Sequence, residues 1–404
     1  EGISANAISF LCILKACANA NATKEGQEIH VEIEKKGLLE TNPSLGNTLV
    51  CMYADCGLLI EAQAIFNHLP IVDAVSWTAL MGGYTRCGYG EKALNCFDRM
   101  QRQGVTPDVV TFVCILKACC SIRAFEKGKE IHAEILKEGL LEKHVLVGNA
   151  LVNMYTKCGE LAKAQEVFDG LPNLNIVSWN AFIAGYAQHG YGDEVLNHYI
   201  NMRNQGFCPN AVTFVCILKA CGGLGKLGKG KEIHAEVIEH DCLGKNMFIA
   251  TGLVDMYAKC GEISKAQEVF DEFTIQEVVS CNALIAGCIQ YGHDENALQC
   301  FIRMQHEALF PDAYTFACIL KCCGSIGSID KGKEIHAKII KEEILMRSAL
   351  VGTALVDMYA KCGVLTEAQK VFDQLQIHDI VSWTSLITGY TQHECIEEAL
   401  DCYE

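Results

Sequence analysis

One interval constrains this chain more than any other feature. The string SFLCILKAC near the start returns twice as TFVCILKAC and once as TFACILKCC, which sets Leu14, Leu116, Leu218 and Leu320 102 residues apart at each step. The string Tyr-x-x-Cys-Gly keeps the same interval at Tyr53, Tyr155, Tyr257 and Tyr359, and so do VSWTAL, VSWNAF, VSCNAL and VSWTSL, which begin at Val75, Val177, Val279 and Val381. A period shared by three unrelated strings marks an internally repeated architecture.

Each period subdivides. In residues 74–108, SWTALMGGYTRC reads as a helix, Gly88 to Gly90 as a turn, and EKALNCFDRMQRQ as a second helix stopped by Gly104. Ala93, Leu94, Phe97 and Met100 fall at helical spacing, and no strand periodicity appears. One period is therefore three helical hairpins of 36, 31 and 35 residues, as in 109–144, 145–175 and 176–210. Hairpins this small cannot bury their apolar faces alone, so they must stack. The expected fold is all-α, a right-handed superhelical α-solenoid of helix-turn-helix repeats forming one elongated domain across residues 1–404. Full hairpins are expected at 7–42, 43–73, 74–108, 109–144, 145–175, 176–210, 211–246, 247–277, 278–312, 313–348 and 349–379. Residues 1–6 read as the tail of an earlier hairpin and 380–404 as an incomplete one, so the chain is expected to be a fragment of a longer array.

Composition is compatible with this. Half the residues are hydrophobic and only 6 are proline, which excludes a disordered or collagen-like chain. No apolar run approaches the roughly 18 to 20 residues of a membrane helix, so a soluble protein without a membrane partner is expected. The 33 Lys and Arg against 49 Asp and Glu leave a formal charge of −16, which argues against a protein that holds nucleic acid through bulk positive charge.

The hairpin texts resemble those of a known family, the plant pentatricopeptide repeat (PPR) proteins of the PLS subclass, in which P repeats of 35 residues alternate with long L repeats of 36 and short S repeats of 31. The matching text is VVTFVCILKACCSIRAFEKGKEIHAEILKEGL for L, VLVGNALVNMYTKCGELAKAQEVFDGLP for S, and IVSWNAFIAGYAQHGYGDEVLNHYINMRNQGFCPN for P. The resemblance runs through every period, and a uniform 34-residue tetratricopeptide array fits less well. It implies binding of single-stranded organellar RNA at one nucleotide per repeat, with no cofactor. It places the chain in mitochondrion or chloroplast, most specifically as the recognition tract of a C-to-U editing factor. A deaminase would then follow further along the chain or act in trans. RNA stability or processing is the neighbouring alternative. A scaffold whose L repeats dock multiple organellar RNA editing factor proteins is another.

In that family the fifth and last residues of a repeat specify the base. Here the S repeats pair Asn47 with Asp73, Asn149 with Asn175, Thr251 with Glu277 and Thr353 with Asp379, while the P repeats pair Thr78 with Asp108, Asn180 with Asn210 and Asn282 with Asp312. Amide, hydroxyl and carboxylate offer different donor and acceptor sets, so short polar side chains on a rigid helix can discriminate base edges. Core packing alone would not place Asn or Thr there. The resemblance implies 5′-n-U-G-n-Y-Y-n-R-U-n-G-3′ as target, where n marks L repeats, whose fifth residues Leu11, Val113, Val215 and Ala317 cannot hydrogen-bond a base.

Repeat positions 2, 5, 9 and 13 share one stripe of the first helix. Position 2 is Val75, Val177, Val279 and Val381 in the P repeats, an apolar edge against which a base can be wedged. Position 13 is Arg86 in one P repeat and Lys157, Lys259 and Lys361 in three S repeats, while Lys15, Lys117, Lys219 and Lys321 stand at position 9 of the L repeats. A polar and basic stripe is thus expected to cross an acidic protein. Affinity should depend on base edges more than on phosphates, with a shallow salt dependence.

Other chemical-looking signals read as architecture. Of the 24 cysteines, Cys12, Cys114, Cys216 and Cys318 keep the period, as do Cys17, Cys119, Cys221 and Cys323, which suits small buried side chains better than metal ligands. The deaminase signature, His-x-Glu combined with Pro-Cys-x-x-Cys, is absent from these 404 residues, so no enzyme activity is expected within them. His30, His132, His234 and His336 recur in the L repeats and read as structural. GGLGKLGKGK at 222–231 lacks the ending of a phosphate-binding loop and reads as a helix–helix turn.

Overall fold

The computed structural model describes residues 6–239, 246–272, 277–342 and 348–403. Residues 1–5, within the expected N-terminal tail, lie outside them. Every regular element among the described residues is a helix. One period shows the construction: Val109–Ile122 and Phe125–Lys137, then Val145–Cys158 and Leu161–Asp169, then Ile176–Gln188 and Gly192–Asn204.

The helices begin where side chains can cap them. Asp73, Asp108, Asn175, Asn210, Asp312 and Asp379 each precede the first helix of a repeat, and each accepts from the amide three residues on, as Asp312 Oδ1 does from Thr315 N at 2.8 Å. In most of them the Ser or Thr at that third position returns a hydroxyl to the cap's own amide, closing a reciprocal box. The last residue of each of these six S and P repeats is thus pinned before any ligand is considered, whereas Asn42, His144 and Ser348, which end L repeats, make no side-chain cap.

The first two L repeats carry more than two helices. Gly37 and Gly139, at φ 60° and 63°, break the second helix in the left-handed region, and the chain winds one further turn, Leu38–Thr41 and Leu140–Lys143. The matching segments of the third and fourth L repeats lie outside the described residues.

The chain divides into two compact units, Glu1–His189 with Ile200–Cys208, and Gly190–Tyr199 with Pro209–Glu404. Inside each, the first helix of a repeat packs on its own second helix and on the first helix of the next repeat. The recurring strings form this core: Leu14, Leu116, Leu218 and Leu320 are fully buried, and Tyr53, Tyr155, Tyr257 and Tyr359 nearly so. Each of those tyrosines places its hydroxyl 2.8 to 3.0 Å from Nδ1 of a histidine in the preceding L repeat, in the pairs His30–Tyr53, His132–Tyr155, His234–Tyr257 and His336–Tyr359. This bond ties the second helix of L to the first helix of S. In three P repeats a tryptophan packs edge-on against a phenylalanine, Trp77 on Phe66 at 4.6 Å, Trp179 on Phe168 at 4.8 Å and Trp383 on Phe372 at 4.5 Å. Cys281 replaces the tryptophan in the remaining full P repeat, where the Arg303 guanidinium lies over Phe270 beside a cavity of about 200 Å³.

Candidate nucleic-acid interface

The capping geometry carries the last residue of a repeat to its fifth. Asn282 Nδ2 donates to both carboxylate oxygens of Asp312, at 3.2 and 3.1 Å, and its Oδ1 lies 2.6 Å from the Thr315 hydroxyl. Asn149 Nδ2 reaches Asn175 Oδ1 at 3.5 Å. In the first P repeat the contact runs through an intermediary: the Thr78 hydroxyl meets that of Thr111 at 2.9 Å, and Thr111 donates to Asp108 at 2.8 Å. Burial opposes the charge of Asp312, but the amide and hydroxyl of Thr315 and the Asn282 amide outweigh it and hold the carboxyl below its usual range. Asp73 is held low against its own burial in the same way by Ser76 and Asn47. These last-position acids are therefore charged acceptors at neutral pH.

Thr251 and Thr353 are half-buried, Asp379 is exposed at its cap, and the Glu277 amide donates to Ser280 Oγ at 3.3 Å. Asn180 is half-buried on Ile176–Gln188, and Asn210 caps Ala211–Leu224.

Position 5 is polar in the S and P repeats, yet in several of them it is buried. Asn47, Asn149 and Asn282 are only 9%, 7% and 9% exposed, because the first helices of adjacent repeats pack against one another there. Oδ1 of Asn47 and of Asn149 is buried without a hydrogen-bond partner among the described residues, a costly arrangement unless a donor completes it.

The apolar edge extends further than the P repeats. Val75, Val177, Val279 and Val381 are 54–63% exposed, but Ile8, Val110, Leu146, Val212, Phe248, Tyr314 and Leu350 occupy the same position of the L and S repeats and are exposed as well. The signal was available in the same repeat alignment. It is masked by varied residue type, since Phe, Tyr, Leu and Ile do not look like one motif.

The basic stripe is corrected more strongly. Arg86 bonds Asp55 at 2.5 Å, Lys259 bonds Asp255 and Lys361 bonds Asp357, both at 2.7 Å, while Lys157 donates to Gln188 at 2.5 Å. The two Asp–Lys pairs span one helical turn, the favourable i,i+4 order. Position 13 thus carries mostly neutral pairs. The L-repeat lysines Lys15, Lys117, Lys219 and Lys321 are exposed and have no ion-pair partner among the described residues.

Two clefts in the first compact unit collect these features. One of about 320 Å³ is lined by Thr78, Asp108, Val75, Val110 and Arg86 among others, and one of about 370 Å³ by Asn47, Val75, Ser44, Lys15 and Asp55 among others. Each sets a fifth-position side chain beside an exposed apolar position 2. Of the periodic cysteines, Cys17, Cys119, Cys221 and Cys323 are buried as expected, whereas Cys12 is exposed and Cys114, Cys216 and Cys318 are half-buried, because that position faces the surface of the first helix; burial pushes the Cys96 thiol up to about 11 and Cys119 to about 12, so neither is a ready nucleophile or ligand. No helix among the described residues is long and apolar enough to cross a membrane.

Stacked helical hairpins, with small polar side chains at the fifth position of the S and P repeats, define an all-α repeat protein. The PPR repeat family model matches residues 72–121, 174–223 and 276–325, and the PPR repeat model matches 149–176, 248–274, 353–380 and 381–404. The chain belongs to the pentatricopeptide repeat family. A chloroplastic pentatricopeptide repeat-containing protein of Arabidopsis thaliana is 36% identical over 391 residues, a match covering 97% of this chain and 63% of that protein. A mitochondrial one from the same plant is 32% identical over 409 residues, covering 100% and 58%. The chain thus spans less than two thirds of the length of these relatives. Among solved structures, the pentatricopeptide repeat protein PPR10 in complex with an 18-nt psaJ RNA element superposes with a TM-score of 0.75 at 19% identity, over 100% of this chain and 63% of that one. That likeness concerns the fold.

Proposed function

We propose that this chain is a sequence-specific reader of single-stranded RNA, one nucleotide per repeat, with the alternating L, S and P organisation of the PLS subclass. The observation that carries the reading is the 320 Å³ cleft in which Val75 and Val110 face the same space as the Thr78 hydroxyl and the Asp108 carboxylate. Two exposed apolar side chains can sandwich the faces of a base while a donor–acceptor pair meets its edge. The RNA named in the structure of PPR10 supports this reading by likeness of fold. Relatives named chloroplastic and mitochondrial support an organellar setting.

Within that reading the chain is the recognition tract of a C-to-U editing factor, holding a cytidine for a deaminase borne elsewhere on the polypeptide or supplied in trans. Asn47/Asp73 and Asn282/Asp312 select U, Thr78/Asp108 and Thr353/Asp379 select G, Asn149/Asn175 and Asn180/Asn210 select a pyrimidine, and Thr251/Glu277 selects a purine. The test is binding of 5′-n-U-G-n-Y-Y-n-R-U-n-G-3′ against the same RNA with U and G exchanged at the Asn282 and Thr78 registers. Tighter binding of the first is expected; equal affinity rejects the assignment.

A second role is favoured by one observation. Leu136, Ile238 and Ile340 occupy one register of the L repeats' second helices and are 56–57% exposed, an apolar surface on which an accessory editing protein could dock. Capture of a purified multiple organellar RNA editing factor protein without RNA, abolished by Ile340→Glu, is the expected result.

A further inference from the structure

The L repeats pose a problem that the base-reading scheme leaves open. Their fifth residues, Leu11, Val113, Val215 and Ala317, offer an RNA base no hydrogen bond, yet these repeats recur once in every period. Each also carries a lysine at position 9, namely Lys15, Lys117, Lys219 and Lys321. Positions 2 and 9 are seven residues apart, about two helical turns, so each lysine stands on the same face as the exposed Ile8, Val110, Val212 or Tyr314 of its own repeat. In the first period Lys15 lines the 370 Å³ cleft that also contains Asn47 and Val75 of the following S and P repeats. Asp55 lines that cleft too, and it is engaged by Arg86.

The cations of this first-helix stripe therefore sort into two groups. Those at position 13 mostly neutralise carboxylates of the same or the adjacent repeat, and a phosphate could recruit them only by displacing that partner. Those at position 9 of the L repeats are exposed and without such a partner among the described residues. A lysine ammonium is a mobile point charge on a four-carbon stem, suited to a phosphate and indifferent to the base.

We infer that the L repeats act as phosphate clamps: Lys15, Lys117, Lys219 and Lys321 each hold the RNA backbone once every third nucleotide, while the S and P repeats between them read the bases. The inference rests on the RNA-binding reading above. It converts the L repeats from silent spacers into the elements that set backbone register, and confines most of the salt dependence to four side chains.

The experiment titrates the 404-residue chain with the predicted RNA and with its U/G-exchanged counterpart across a range of KCl concentrations. Wild type is compared with a variant carrying Lys15→Gln, Lys117→Gln, Lys219→Gln and Lys321→Gln, and with a Lys259→Gln, Lys361→Gln control. The slope of log K against log salt should fall by about 0.7 for each clamp lysine removed, the value for one single-strand phosphate contact, with the affinity ratio between the two RNAs unchanged. The control should change the slope by clearly less per residue. Normal RNA binding with an unaltered slope in the four-lysine variant overturns the clamp alone, as does an unaltered affinity with a collapsed ratio. Failure of the wild-type chain to bind either RNA removes the underlying reading and the clamp together. These are exposed side chains, so an unchanged melting temperature verifies that each variant is folded.

Discussion

At the scale of single residues, the last position of a repeat does two jobs that mutation can separate. Asp312 caps a helix and also bonds Asn282, so removing it with Asp312→Ala should cost roughly 1 kcal/mol of stability as well as base selectivity. Asp312→Asn keeps an equally good cap, as Asn210 demonstrates at the same register of another P repeat. It should leave thermal unfolding nearly unchanged while moving the preference at that nucleotide from U toward C, measured by binding of RNAs varied at that one site. The buried histidines give a second residue-scale prediction. Desolvation lowers the folded-state pKa of His234, with Lys265 acting in the same direction and Glu272 and Glu268 opposing it. The unfolded chain therefore binds the proton first as pH falls below about 6.5, and the stability of the neutral His234–Tyr257 pair, present above that pH, is lost on acidification. The melting-temperature gap between wild type and His234→Gln should narrow between pH 7.5 and pH 5. A constant gap would contradict it. Which residues repeat was visible in the sequence, but that His and Tyr are partners was not, because they sit 23 residues apart on different hairpins.

At the scale of elements, the hairpins were readable because caps, helical spacing and glycine stops agree along the chain. The extra turn after Gly37 and Gly139 was not, since Leu-Leu-Glu followed by Thr or Lys is equally compatible with a loop. Close helix approach was equally hidden. A Cβ built on Gly287 would lie 2.5 Å from that of Ala258, and one on Gly389 2.5 Å from that of Ala360, so the first helices of adjacent S and P repeats touch through these glycines. Backbone atoms of Ala258 stand behind the contact, leaving little room to yield. Gly287→Val should therefore destabilise by about 1 to 3 kcal/mol, read as a lowered urea midpoint at unchanged m-value.

At the scale of the whole molecule, contacts between neighbouring repeats make the period the natural module. Excising residues 109–210 joins Asp108 to Ala211, the same cap-to-helix step that Asn210 makes to Ala211 in the intact chain. The shortened protein should keep its helical signal per residue in circular dichroism and protect an RNA footprint three nucleotides shorter. A chain that unfolds on excision would show that the period is not an independent stacking unit.

The sequence by itself determined the period, the all-helical hairpins, their caps and the identity of the fifth and last residues, because these follow from local spacing and propensity repeated until chance is excluded. Only tertiary structure decided how polar groups pair. Asn282 meets Asp312 across 30 residues, Arg86 is neutralised by Asp55, and Lys15, beside Asn47, has no ion-pair partner among the described residues, because stacking fixes which helix faces which. A charge count sees the same cations in both cases. Distance separates those already bound to a carboxylate from those still free to meet a phosphate.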